Sequence, residues 1–199
     1  MSGGHLFGRR QVLKAALTPC LLACPLPSVR AVASEPGLNE DGLYVEPWFV
    51  QSFLVLSEDL QAATDSGRRF AIMWELKGCP YCRETHLVNF ADGQIRGFVQ
   101  EHFDILQLNF IGSRLVVDFD GEELEEKALA RKWGVSFTPT TCFYPEAGAA
   151  SDVAGKELEV ARMSGYFRPP HFLAMYRFVQ EKHYVEMDFR AYLNSLKQG

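Results

Sequence analysis

Phe70-Ala71-Ile72-Met73-Trp74-Glu75-Leu76-Lys77-Gly78-Cys79-Pro80-Tyr81-Cys82 is the stretch on which the reading of this chain turns. Its first five residues are apolar and read as a buried strand. A short loop follows, and Arg83 to Phe90 has the composition of a helix. The two cysteines therefore sit where a strand hands over to a helix. That place matters because the thiolate, not the thiol, is the nucleophile. Unpaired backbone N–H groups and the positive end of the helix dipole favour the anion. Pro80 suits the first helical turn, where its missing N–H would have had no partner. Cys82 shares a helix face with Cys79 and can reach back to close a disulfide. The pair has the placement of a redox-active dithiol.

At 199 residues, 47% hydrophobic and 13% aromatic, the chain is composed for one globular domain. Its first 33 residues differ in kind: they hold Arg9, Arg10, Lys14 and Arg30 and no acid. Gly8-Arg9-Arg10-Gln11-Val12-Leu13-Lys14 resembles a twin-arginine export signal, with Ala31-Val32-Ala33 as a small-residue cleavage site. Leu21-Leu22-Ala23-Cys24 offers a rival, a lipobox whose Cys24 would carry a lipid. Either product is expected in a bacterial periplasm or on a membrane facing it. Pro19, Pro25, Pro27 and Arg30 interrupt the apolar run and argue against a membrane anchor.

The expected organisation is a signal peptide over 1–33, a flexible leader over 34–47 rich in Gly, Pro and acids, and the folded domain over 48–199. Removing the signal leaves 166 residues with 16 cations against 25 acids, a net charge of −9. That balance excludes a nucleic-acid partner, which needs a basic surface. It also leaves Cys79, Cys82 and Cys142, an odd count with one tight pair and not a structural disulfide framework.

Hydrophobic spacing fills in the domain. Phe49, Phe53, Leu56, Leu60 and Ala63 predict a helix over Phe49–Thr64. Asp92 is placed to cap a helix running to His102, and Phe103–Phe110 alternates like a central strand. Leu115-Val116-Val117 suggests a short strand, and Glu122–Trp133 a helix ended by Gly134. Thr140–Tyr144 and Glu159–Tyr166 predict a strand hairpin. Helices from Pro169 and from Asp188 close the chain. The order β-α-β-α-β-β-α implies an α/β fold with a mixed central sheet and helices on both faces.

A second signal is Trp133-Gly134-Val135-Ser136-Phe137-Thr138-Pro139-Thr140-Thr141. X-Pro bonds are where a cis peptide is cheap. A cis Thr138–Pro139 bond beginning a strand would set the Thr138 backbone against Cys79, where an extended substrate chain can pair with it. An ordinary trans proline at a strand start is the simpler alternative.

Together with Val88-Asn89-Phe90-Ala91-Asp92 and Gly165-Tyr166-Phe167-Arg168-Pro169-Pro170-His171-Phe172, these stretches resemble the SoxW-type periplasmic thioredoxins. The resemblance implies a thioredoxin-like fold and a reductant role in bacterial sulfur oxidation. It implies protein disulfide substrates, sulfur-oxidation carrier proteins among them, and a membrane thiol transporter of the CcdA/SoxV kind as electron donor. Cys79 and Cys82 would be catalytic, with Pro80, Tyr81, Thr138 and Pro139 binding substrate. No small-molecule cofactor is needed, because the dithiol carries both electrons.

Departures from thioredoxin itself qualify this expectation. The dipeptide between the cysteines is Pro-Tyr, and Met73 stands where thioredoxin keeps a buried aspartate. Glu75 is then the nearest candidate to accept a proton from Cys82, unless it is a solvated strand residue. Lys77 is either an aid to the Cys79 thiolate or a surface lysine. His86, about 10 Å along the helix axis from Cys79 at 1.5 Å per residue, reads as a core histidine. Cys142 reads as a buried inert thiol. With only one paired spacing, zinc is not expected. Other roles compatible with the motif are a disulfide-forming oxidant or isomerase, and a non-catalytic binding module in cytochrome or metalloprotein maturation.

Overall fold

A computed structural model describes residues 36–147 and 153–197. The signal region, with Cys20, Cys24 and both cleavage sites, lies outside the described residues. In chain order the elements are β1 (Gly37–Leu38), β2 (Tyr44–Val45), α1 (Leu56–Asp65), β3 (Arg69–Glu75), α2 (Pro80–Glu84), α3 (Gly93–His102), β4 (Phe103–Asn109), β5 (Leu115–Val117) and β6 (Glu123–Glu125). They continue with α4 (Glu126–Lys132), β7 (Thr140–Phe143), α5 (Gly155–Leu158), β8 (Ala161–Ser164), α6 (Pro169–Gln180) and α7 (Phe189–Ser195).

The central sheet has the order β4-β3-β7-β8. β3 runs parallel to β4 and antiparallel to β7, and β7 pairs antiparallel with β8. All seven residues of β3 are buried, which is why its sequence is a continuous apolar run rather than an alternating one. Side-chain alternation then divides the core between two faces. Phe70, Ile72 and Trp74 pack with Leu56, Leu60, Leu106, Leu108, Leu129 and Trp133 on the α1 and α4 side. Ala71 and Met73 pack with Ile95, Val99, Ile105, Phe172 and Tyr176 on the α3 and α6 side. Glu75 shares the parity of Ala71 and Met73 and so belongs to the second face.

Three expectations are corrected. Of the leader expected over 34–47, the described part, 36–47, is not loose: β1 and β2 form a hairpin, and Leu43 and Glu46 are buried. Its glycine and acids build the turn, where Asn39 accepts the Leu43 N–H. The first helix begins at Leu56, not Phe49, because Phe49 folds into the α6-side core. The helix expected from Glu122 begins at Glu126, because Glu123–Glu125 pairs with β5. The helix after the cysteines also changes pitch, passing from α2 into a single π turn, Thr85–Asn89.

Candidate functional site

Leu76, Lys77 and Gly78 carry the chain from β3 to α2, and Gly78 takes φ +76, a conformation that suits a residue without Cβ. Lys77 is exposed with its stem against Gly42. Cys79 is the N-cap of α2, with Pro80 in the first turn. The Cys79 Sγ accepts the Cys82 N–H at 3.1 Å. Its own thiol donates to the Thr138 carbonyl at 3.4 Å. Cys79 is half-buried, Cys82 is buried, and both are free thiols.

The Thr138–Pro139 bond is cis. The Pro139 carbonyl accepts the Gly165 N–H at 2.8 Å, which ties this loop to the end of β8. Trp133 fixes its other end, donating from Nε1 to the buried Asp118 carboxylate at 3.0 Å. Tyr81, 58% exposed, stacks on Tyr166 with ring centroids 6.0 Å apart. Tyr166 donates to Asn89 Oδ1, and Asn89 donates to the Phe167 carbonyl. The 165–172 stretch is thereby fastened to the redox helix. Tyr81, Phe137, Thr138, Gly165, Tyr166 and Arg168 line an open cleft beside Cys79. Five of the sequence-derived site residues, Cys79, Cys82, Tyr81, Thr138 and Pro139, thus come together at one place. Of these, Tyr81 and Thr138 line the cleft, and Pro80 is exposed at the helix start.

Glu75 lies beneath them. It is 1% exposed, so the solvated-strand alternative fails. Its carboxylate accepts from His86 Nε2, 3.0 Å from Oε2, and from Gln107 Nε2. His86 Nδ1 lies 2.9 Å from Glu46 Oε1, so the ring bridges two buried carboxylates. Burial alone would push the imidazole down, but the two carboxylates outweigh it and hold its pKa up to about 9. Burial pushes the Cys82 thiol up, and the Glu75 charge pushes it further. Met73 is packed in the apolar core. Cys142 is buried in β7, its thiol also pushed up by burial.

Glu46 and the pairing of His86 were missed in the sequence. Glu46 sits in a segment whose composition resembles a linker, and nothing local marks it as a partner of a residue forty positions away.

The thioredoxin-like domain family matches residues 56–180. The chain belongs to that family. Among solved structures, this thioredoxin-like protein is similar to a thioredoxin-fold protein from Helicobacter pylori. The identity there is 20% with a TM-score of 0.50, over 71% of this chain and 98% of that one. A thioredoxin from Thermus thermophilus gives 25% identity and a TM-score of 0.48, over 63% and 83% of the two chains. No curated protein matches the sequence significantly. Glu46, whose carboxylate meets His86, lies outside the span that the family model matches.

Proposed function

We propose that this thioredoxin-like protein is an exported protein-disulfide reductase working through Cys79 and Cys82. One observation carries the reading. A half-buried thiol caps a helix, receives a backbone N–H and contacts Thr138 at the edge of an open cleft, with a second thiol buried in the same helix. The Cys79 thiolate attacks a substrate disulfide and releases one substrate sulfur as thiolate. Cys82 then loses its proton to Glu75 and attacks Cys79 Sγ, forming the Cys79–Cys82 bond and releasing the second substrate thiolate. The substrate gains two electrons and the dithiol loses two. The Thr138 backbone and the Tyr81–Tyr166 wall receive the extended substrate chain.

Insulin reduction in the presence of dithiothreitol tests this. Cys79→Ser should abolish turnover, whereas a pure binding module would lose nothing by the change. A reductase should also have a reduction potential nearer the roughly −270 mV of thioredoxin than the roughly −120 mV of a strong oxidant. The periplasmic address, sulfur-oxidation carrier proteins as substrates and a CcdA/SoxV-type thiol transporter as electron donor belong to the same proposal. They are supported by the twin-arginine pattern and the SoxW-type stretches. Cys82→Ser should accumulate a mixed disulfide on Cys79, and mass spectrometry of the trapped species from the native periplasm should find a sulfur-oxidation carrier.

A further inference from the structure

Glu46, His86 and Glu75 form a buried line of three charged groups, 3%, 0% and 1% exposed. They come from three places in the chain: the segment after β2, the π turn and the end of β3. Among the described residues, His86 is the cation paired with either carboxylate. The other titratable or charged groups facing the line are few. The Cys82 thiol from α2 and the Tyr176 phenol from α6 feel the Glu75 charge. Tyr44 of β2 stacks on the His86 ring at 5.9 Å, and Phe49 and Phe90 wall it at 5.8 and 5.6 Å. From β4, neutral Gln107 donates to Glu75, and Arg114, beyond that strand, donates to the Gln107 carbonyl and pairs with Glu126.

A buried carboxylate without a cation takes up a proton, and once protonated it can no longer accept one from a thiol. Glu75 has a cationic partner in His86, which donates to it. His86 in turn stays charged inside an apolar wall because Glu46 holds its other nitrogen. We propose that His86 and Glu46 are positioning residues for the second half of disulfide reduction: together they keep Glu75 ionised and oriented as the acceptor of the Cys82 proton. The inference rests on the dithiol reading above. In the step concerned, the Cys82 proton passes to Glu75, Cys82 Sγ bonds to Cys79 Sγ, and the bond from Cys79 to the substrate sulfur breaks. The leaving thiolate takes its proton from solvent, and Glu75 returns its own to solvent.

Reaction with 5,5′-dithiobis(2-nitrobenzoate), in the full chain carrying Cys20→Ser and Cys24→Ser, separates the two halves. Attack by Cys79 releases the first thionitrobenzoate, and attack by Cys82 on the resulting mixed disulfide releases the second. His86→Gln should move the acid limb of the second phase upward by a pH unit or more. On that limb the second release is then at least about tenfold slower, while the first changes less than twofold. Glu46→Gln should act in the same direction and lower the titration of His86, read by NMR of the ring nitrogens, from near 9 toward the ordinary 6.5. Glu75→Gln, which removes the acceptor itself, should slow the second phase by roughly 10²-fold or more.

Equal slowing of both phases in the His86 and Glu46 variants, or an unmoved acid limb, would overturn the positioning role while leaving the dithiol intact. A wild-type protein releasing no second thionitrobenzoate would instead defeat the dithiol reading. If the variants fail to fold, the wild-type ring still decides: a neutral His86 at neutral pH overturns the inference.

Discussion

Cys79 and Cys82 are three residues apart and chemically unlike. Cys79 is half-buried and its sulfur receives a backbone N–H, whereas Cys82 is buried and its thiolate faces the charge of Glu75. Limited alkylation of the reduced protein with iodoacetamide at neutral pH should therefore mark Cys79 first, as peptide mapping would read. Cys82 labelled ahead of Cys79 would reverse the roles. His86 supplies a second test, on stability. Its folded pKa is raised to about 9 from 6.5, so the stabilisation is complete below the unfolded value and disappears as pH rises through the folded one. A shift of that size corresponds to roughly 3 kcal/mol. Urea unfolding should show stability falling between those two pH values, and His86→Gln should be both less stable below the window and flat across it. The sequence indicated the two cysteines, because helix-start chemistry is local. It left Glu75 undecided, because the burial of a strand end depends on what packs over it.

At the scale of elements, local chemistry was legible where it is self-contained. Asp92 caps α3, its carboxylate accepting from the N–H groups of Gln94 at 2.8 Å and Ile95 at 3.1 Å. Asp92→Ala should cost about 1 kcal/mol in urea unfolding and leave both thionitrobenzoate phases unchanged, since the cap touches neither cysteine. A loss of thiol reactivity would mean that α3 helps to hold the redox helix in place. Elements that depend on a distant partner were misread. Glu123–Glu125 reads as helical by its own composition but is claimed by β5, with Val116 opposite Leu124. The π turn at Thr85–Asn89 has no composition of its own. It rotates the second half of the helix so that His86 turns into the core and Asn89 meets Phe167 and Tyr166.

At the scale of the molecule, the site is mounted on the two central strands, and opening the cleft does not require opening the core. β3 delivers Glu75 and the loop to Cys79, and β7 begins one residue after Pro139. Cys142 tests this division. It sits in β7 opposite Ile72 on one side and Arg162 on the other, 0% exposed between paired strands. Reaching its sulfur means separating β7 from a neighbour or removing the α1 and α4 layer, and either exposes much of the core. In the Cys20→Ser, Cys24→Ser background, a thiol reagent should consume Cys79 and then Cys82 and leave Cys142 untouched in water. As urea is added, the logarithm of the Cys142 labelling rate should rise linearly, with the slope of global unfolding measured by fluorescence. A labelling rate independent of urea would mean that β7 opens locally, without the rest of the core.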